Sequence, residues 1–334
     1  MAHRPIDLAA SIRRVAAGGI PLRAEERLAE EAGSHAKLFT SDLSVNEFLL
    51  VRDAGCHPIA QVMGSSIYHV GQIPDYKGKT AEIEVISEAH RESRRRALSR
   101  LFQEAVAVGA DAVVGAQLRE RPITMGARGK GGDDGGGVIE FTVVGTAIKA
   151  PFLTHPPGHP IITDLSGQDL WALLQEGWEP CAFLFDYCKF HGWHVTSGNS
   201  GQGEVTAAND VVETARQLVM QRLTEQALAA SVEFVVGSDV SIEVKEVPCG
   251  YASCKLDDLD VLVSWFGTGI RRIPGFQAPV LDLPPLILSM MPLGKRRDTS
   301  LGSEDDDASE VERAGEEAEE NALELDEANE PDDE

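Results

Sequence analysis

The chain has 334 residues, 43% of them hydrophobic, and a formal net charge of −24 at pH 7. This length fits roughly two domains, each able to bury its own core, and the chain lacks both the run of about 18 apolar residues that spans a bilayer and the apolar core of a signal peptide. Five cysteines at irregular spacings do not form a disulfide framework, so we expect a cytoplasmic protein.

Most of the negative charge lies at the C-terminal end. Residues 303–334 hold 17 acidic residues and one arginine, a composition that predicts a disordered tail. We expect this tail either to keep the protein soluble or to attract a basic partner. The rest of the chain is mildly acidic and has no basic stripe, which argues against direct nucleic-acid binding.

Short fragments recur at a constant offset of 122 residues. DAVVGAQL (111–118) matches EFVVGSDV (233–240), and Asp42 matches Asp164. Self-similarity at one period indicates a duplicated unit. The predicted divisions are a helical lead at 1–38, a first repeat at 39–150, a second and divergent repeat at 162–272, a Pro-rich apolar arm at 273–302 and the acidic tail at 303–334.

Each repeat is predicted to open with a short helix, over roughly 44–54 and 166–176. Ser44 is followed three residues later by Glu47, which is the pattern of a capping box, and Ser166 begins a similar pattern with an aspartate. A glycine directly after each helix provides the left-handed residue that ends it. An extended segment follows in both repeats.

A longer helix is predicted to begin near Ser87 in the first repeat and near Asn209 in the second, because both residues are good helix caps. Apolar residues then recur at spacings of three and four, which indicates one buried face. The opposite face of the first helix carries Arg91 and Arg94. We therefore expect each helix to cover a sheet with one side only.

The strands after each helix are short and β-branched. Runs at 112–114 and 234–236 end at glycine, and alternating apolar residues mark final strands near 139–143 and 261–265. The predicted fold is α+β, with two copies of a β-α-β-β unit that are each preceded by a short helix and strand. Such a small sheet has exposed edges, so each repeat needs the other repeat or another chain as a partner.

A Gly-rich stretch, GARGKGGDDGGG (126–137), lies between the last two strands of the first repeat. It does not lead from a strand into a helix and lacks the Gly-Lys-Ser/Thr end of a phosphate-binding loop. We interpret it as a flexible hairpin connection.

The first repeat also resembles a known family. ESRRRALSRLFQEAVAVGADAVVGAQL, followed after a loop by EFTVVGTAIK, resembles the YbjQ-like heavy-metal-binding domain. FTSDLSVNEFLLVRDAGCHPIAQVMGSSIYHVG resembles the N-terminal extension of a tandem actinobacterial subgroup of that family. The resemblance implies a dodecin-like fold that assembles into rings, commonly pentamers, so that the implied partner is the protein itself.

Soft metal ligands cluster in the second repeat. The candidate ligands for zinc or copper are Cys181, Cys188, His191 and His194. In an extended strand Cys188 and His194 share one face and His191 points to the other, so convergence requires a bend, which Gly192 could supply. The alternative is a buried cysteine beside hydrogen-bonded histidines.

Motifs of catalysis are missing from the sequence. There is no nucleophile elbow, metalloprotease helix, dinucleotide fingerprint or cysteine beside a recognisable base, so we expect no enzyme and no cofactor other than a zinc or copper ion. The predicted function is a non-enzymatic, ring-forming oligomeric binding or scaffold protein of unknown ligand. The alternatives are heavy-metal binding or sequestration through the second repeat, and an enzyme of unrecognised type.

Overall fold

The computed structural model describes residues 7–31, 41–72, 76, 78–123, 137–197, 205–248 and 256–276. The predicted acidic tail, most of the apolar arm and nearly all of the Gly-rich connection lie outside these residues. Within them, no helix is both long and apolar enough to cross a membrane.

The described residues form six helices and eight strands, so the predicted α+β class is confirmed. In chain order they are α1 (Leu8–Ala16), α2 (Leu22–Glu31), α3 (Val45–Asp53), β1 (His57–His69), β2 (Ala81–Glu82), α4 (Glu84–Ala107), β3 (Ala112–Ile123), β4 (Val138–Lys149), β5 (Ile161–Ile162), α5 (Gly167–Gln175), β6 (Trp178–Ser197), α6 (Thr206–Ala229), β7 (Phe234–Val247) and β8 (Leu256–Arg272).

The strands form two four-stranded sheets, ordered β1-β4-β3-β5 and β2-β6-β8-β7. All pairs are antiparallel except β3 with β5. We call residues 41–149 the first half and residues 161–272 the second half. In each half a long strand leads into a helix of 24 residues and then into two more strands.

The short helices begin where the sequence predicts. The Ser44 hydroxyl accepts a hydrogen bond from the Glu47 backbone N–H, and the Glu47 carboxylate accepts one from the Ser44 N–H at 2.7 Å, which completes the capping box. Ser166 caps α5 in the same way, but the carboxylate of Asp169 bonds the Ser166 hydroxyl instead of its backbone. The shorter aspartate side chain accounts for the difference.

The predicted starts of the long helices are wrong by three residues. Both α4 and α6 begin earlier, and neither has a side-chain cap. Ser87 is instead buried within α4, where its hydroxyl accepts a hydrogen bond from the Lys189 N–H at 2.9 Å. The Ile83 N–H, just before α4, donates to the Lys189 carbonyl at 2.8 Å. Pairing with β6 therefore fixes where α4 starts.

Each long helix buries one apolar face on the sheet of its own half. In the first half, Leu101 of α4 packs with Val62, Phe141 and Val143 of the sheet. The second half has a matching core. Burial of each such side chain stabilises the fold by about 1.5–3 kcal/mol.

Two glycines with positive φ mark irregular points in the edge strands. Gly115 has φ +64° and Gly237 has φ +63°, and the pairing register of β3 and of β7 shifts at these residues. Glycine is the residue that most easily adopts this conformation. At Gly115 the reason is conformational, because a side-chain carbon there would meet no atom within 4 Å.

Gly64 of β1 allows α4 to approach the sheet, and it provides the first prediction. A side-chain carbon at Gly64 would lie 1.9 Å from the Ala97 carbonyl oxygen, which belongs to the backbone of α4. We expect Gly64→Ala to lower the free energy of unfolding by about 2–3 kcal/mol, measured by urea denaturation. Gly137→Ala is the control, because a side chain there meets nothing within 4 Å. Equal stabilities of the two variants would contradict the prediction.

Candidate functional site

The two halves meet at a junction that contains sheet pairing and buried charged side chains. One side of it is the edge of β3, which the second half covers. The Ile161 N–H donates to the Asp111 carbonyl at 3.0 Å and the Thr163 N–H donates to the Val113 carbonyl at 3.0 Å. The Ala116 N–H donates back to the Thr163 carbonyl at 2.9 Å. The second half therefore completes the sheet of the first.

The first half covers an edge of the second sheet in return. β2 pairs with β6 opposite Phe190 and His191, and the bond from Ile83 to Lys189 continues this pairing. Each half thus lends a short strand to the sheet of the other. Neither sheet keeps this arrangement if the halves separate.

The short helices α3 and α5 also meet across the junction. A side-chain carbon at Gly167 would lie 2.8 Å from Val51 and 2.9 Å from Glu47, so glycine permits the close contact. The Trp171 indole N–H donates to the Asp53 carboxylate at 3.0 Å.

Arg94 of α4 is buried at the junction, although the sequence placed it on the face opposite the core. Its guanidinium contacts the Glu120 carboxylate at 3.2 Å and donates to the Ser264 hydroxyl at 2.8 Å and to the Asp186 carbonyl at 3.3 Å. Ser264 and Asp186 belong to the second half. Both faces of α4 are therefore covered, and the expectation of a one-sided helix is wrong.

His90 lies one helical turn before Arg94 and joins the same network. Its ring stacks in parallel on the Tyr187 ring at 3.9 Å, and its Nδ1 lies 2.9 Å from the Glu120 carboxylate. Burial lowers the pKa of His90, although Glu120 opposes the shift. Burial alone would raise the pKa of Glu120, but the hydrogen bonds and charges of His90 and Arg94 outweigh it and lower the pKa.

A second group of charges surrounds Glu82. Arg222 of α6 binds its carboxylate with two bonds of 3.0 and 2.5 Å, and Arg91 of α4 contacts it at 3.2 Å. Arg222 also lies 3.5 Å from the carboxylate of Asp186, which is almost fully buried. Burial raises the pKa of Asp186 despite both arginines, whereas the arginines lower the pKa of Glu82 against its burial.

The nucleophiles beside this network stay protonated. Burial, together with the nearby Glu82 carboxylate, raises the pKa of Cys188 to about 12. Burial also raises the pKa of the Tyr187 hydroxyl. A thiol that resists ionisation is a poor nucleophile.

The predicted metal ligands Cys188 and His191 are committed to other interactions. Cys188 is buried in the apolar core of the second half. His191 is also buried, and its Nδ1 lies 2.8 Å from Asp260 while its Nε2 lies 3.6 Å from Asp258. Burial favours a raised pKa of Asp260, but the hydrogen bonds of His191 and Lys189 lower it.

His194 and Cys181 are also directed elsewhere. β6 shifts register after Gly192, as the predicted bend requires, but the His194 ring stacks on Trp193 at 3.7 Å and its backbone N–H donates to Asp258 at 2.8 Å. The Cys181 thiol donates to a backbone carbonyl of β8. No group of three or more His, Cys, Asp or Glu side chains within the described ranges is placed to hold a metal ion.

The sequence did not reveal the charged network, although one signal was present. At the offset of 122 residues, His90 and Glu120 correspond to Val212 and Ile242. The polar pair therefore exists in one half only. A difference of this kind between otherwise similar helices points to a role that only one of them has, which here is contact with the other half.

A cleft of about 550 Å³ opens beside the junction, between α4, β6 and residues 154–162. Arg271 lies on its wall and donates to the Glu179 carboxylate at 2.9 Å. Glu179 is fully buried and also accepts the Thr154 N–H at 2.9 Å. The charged residues of this wall therefore stabilise the linker between the halves.

The charged network predicts that removal of one arginine lowers the free energy of unfolding. Arg222→Met leaves Glu82 and Asp186 buried with fewer positive partners, so we expect a loss of about 3 kcal/mol in the free energy of unfolding. Arg216→Met on the same helix removes an exposed pair with Glu213 at 3.4 Å and should change stability by less than about 0.5 kcal/mol. Urea denaturation of both variants measures the difference, and similar losses would contradict the role of the network.

The lowered pKa of His90 predicts that the stability of the protein depends on pH. Because its folded pKa lies below the ordinary 6.5, the unfolded chain binds the proton more readily, so stability should fall as the pH drops from 6.5 through the folded pKa. His90→Phe keeps an aromatic ring beside Tyr187 and should flatten this decline between pH 7 and 5. The exposed His57→Gln serves as control. Thermal unfolding across this range checks the prediction, which fails if His90→Phe follows the wild-type slope.

One comparison identifies a known domain in the first half. A family model named YbjQ_1 and described as heavy-metal-binding matches residues 72–151, which include α4, β3 and β4. The resemblance to this family is thereby confirmed for the first half. A tandem arrangement and the actinobacterial subgroup stay predictions.

A second comparison covers most of the chain. The sequence is 35% identical over 263 residues to the encapsulin nanocompartment protein Rv1762c of Mycobacterium tuberculosis. The aligned region is 76% of this chain and 96% of the relative. No solved structure matches the chain significantly.

This relationship corrects the predicted function. A ring-forming binding or scaffold protein of unknown ligand is wrong as stated, because the relative is a nanocompartment protein. The heavy-metal alternative also loses its basis, since the described residues bring no ligand set together. The expectation that the chain is not an enzyme is confirmed by the same relative. The chain belongs to the family of the mycobacterial encapsulin nanocompartment protein.

Proposed function

We propose that this protein is a structural component of an encapsulin nanocompartment in the cytoplasm and acts there through contacts with other protein chains. The proposal rests on the 35% sequence identity to an encapsulin nanocompartment protein, in an alignment that covers 96% of that relative. The interactions at the junction fit a structural role, because Arg222 of the second half pairs with Glu82 of the first half and Arg91 of the first half lies 3.9 Å from Asp186 of the second.

Association with further copies of itself is part of this proposal. β7 exposes apolar side chains along an edge that no described strand covers. Open apolar edges of this kind are usually covered by another chain. The number of copies, five by resemblance, stays a prediction.

We also infer that the two halves are copies of one β-α-β-β unit. The helices α3 and α5 have equal lengths, as do α4 and α6, and both pairs are separated by 122 residues. The register shifts in β3 and β7 lie at the same offset. Duplication would supply two similar sheets that can complete one another.

The acidic residues 303–334 suggest a further contact. Their charge favours a basic partner, although they lie outside the described residues. The chain itself has no basic stripe that could serve this purpose.

Size fractionation tests the proposed function. An epitope-tagged chain, expressed in cells that contain encapsulin particles, should migrate with the particles on a density gradient. In cells without the gene for the encapsulin shell protein it should migrate at a smaller size. Identical migration in both strains would contradict the proposal.

A further inference from the structure

The second sheet has an open edge at the place where the first sheet has a covered one. Val113 and Val114 of β3 are fully buried beneath the second half. In β7 the matching Val235 is 45% exposed, and no strand lies outside β7 among the described residues. Large apolar side chains are exposed along this strand: Phe234, Val235, Val240, Ile242 and Val244.

The segment that covers β3 has a counterpart at the start of the first half. Residues 163–165 and 41–43 are held on their own sheets by the same bonds. The Asp N–H of each segment donates to a threonine hydroxyl, that of Thr268 at 3.3 Å or that of Thr146 at 3.1 Å. The Leu N–H of each donates to the hydroxyl two residues earlier, at 3.1 and 3.0 Å.

These two segments differ in whether they pair with the edge of a sheet. Residues 163–165 also bond the edge of β3, through the Thr163 N–H at 3.0 Å and the Leu165 carbonyl at 2.9 Å. Within the described ranges, the matching backbone groups of Ser41 and Leu43 have no backbone partner. Residues 41–43 of the first half therefore match residues 163–165 in their side-chain bonds but are not paired with a sheet edge among the described residues.

A cleft beside β7 of the second half corresponds to the surface beside β3 of the first half on which α5 packs. The cleft measures about 580 Å³ and lies between α5 and β7, where it is lined by Leu165, Asp169, Ala172, Leu173, Glu176, Trp178, Val236 and Gly237. In the first half, Val51, Cys56 and Val114 at equivalent positions are fully buried with Leu170 of α5. The helix equivalent to α5 is α3, whose Val45 is 77% exposed.

We infer that the second half of one copy binds the first half of another copy, head to tail, as the two halves bind each other within the chain. Residues 41–43 of the second copy lie parallel to β7, where the Ser41 N–H donates to the Val235 carbonyl and the Gly237 N–H donates to the Leu43 carbonyl. Helix α3 of the second copy lies against the cleft beside α5, at a wider spacing than between α3 and α5 within the chain, because Val45 stands at the position of Gly167. This inference rests on the self-association in the proposed function and identifies its surfaces.

The sequence at 41–43 has a backbone donor that a later part of the chain lacks. By the same offset, residues 283–287 are the equivalent of 161–165 for this edge. Pro285 stands at the position of Thr163 and has no N–H to donate to the Val235 carbonyl. Ser41 keeps this donor.

The contact between copies differs from the contact within the chain in its charge. Val212 and Ile242 stand at the positions of His90 and Glu120, whose side chains lie 2.9 Å apart. On the other side of the contact, Met63 of β1 is 47% exposed and stands at the position of Phe185, which packs on the core of the first half. The junction between copies therefore has no counterpart of the His90–Glu120 pair, although Arg216 stands at the position of Arg94.

Two complementary variants test the inference. Val45→Asp adds a negative charge to the exposed end of α3. Asp169 lines the opposing cleft, so the two carboxylates should repel each other and the first half should no longer bind there. Leu173→Asp places a charge in the cleft and should disable the second half. Asn46→Asp and Gln168→Glu, on exposed neighbouring positions of α3 and α5, are the charge-matched controls.

Native mass spectrometry of the full chain at micromolar concentration gives the readout. We expect wild type and both controls to assemble, and each disabled variant alone to be a monomer with a circular dichroism spectrum like that of wild type. A mixture of the two disabled variants retains one intact junction, so it should form a heterodimer and nothing larger.

Three results would overturn the inference. They are a monomeric wild type, assembly of either disabled variant alone, and a mixture that stays monomeric although both variants are folded. Fractionation with encapsulin particles tests the proposed function separately, because a chain can enter a nanocompartment without this junction.

Discussion

An unpaired sheet edge is the constraint on which this structure depends. A three-stranded sheet leaves backbone N–H and carbonyl groups along its outer strands, and their burial without partners is costly. Each half meets this need with a short strand from the other, β5 on β3 and β2 on β6. The lent strands also fix neighbouring elements, because β2 leads into α4 and the chain after β5 leads into α5. Edge pairing thus sets both the fold and the relative position of the halves.

The buried charges at the junction fix the relative position of α4 and β6 more than they add to the net stability of the fold. Removing carboxylates and guanidinium groups from water is costly, so an ion pair such as Arg222 with Glu82 adds little net stability over an apolar contact. A misaligned junction, however, would leave Asp186 and Glu82 buried without arginines. The network therefore penalises other registers between α4 and β6. On the corresponding surface of the second half, Glu213 and Ile242 stand at the positions of Arg91 and Glu120, so the same set of pairs cannot form there.

Local features of the fold were predictable from sequence, whereas features set by distant contacts were not. Ser44 and Gly55 bound their helix as expected, because capping and left-handed glycine depend on neighbouring residues. The start of α4 was misplaced because it depends on Lys189, about a hundred residues away in the chain.

Dependence on distant contacts also explains why the candidate site could not be predicted from sequence. The cysteines and histidines of β6 are close in sequence, but strand geometry and the bend after Gly192 send them to a core, a carboxylate pair and an indole ring. Arg94 and Asp186 meet only because the halves dock. Composition and motifs contained no information on that docking, and the nanocompartment relationship came from similarity over 76% of the chain.

The linkage of two sheets in one polypeptide has a consequence for the stoichiometry of any closed assembly. Among the described residues, each chain brings one uncovered β7 edge and one segment at 41–43 without a strand partner. Sheets therefore enter the assembly in pairs, and their total is even whatever the number of chains. A closed set with an odd number of sheets, such as five, is out of reach for intact chains, and five chains would place ten sheets around one axis.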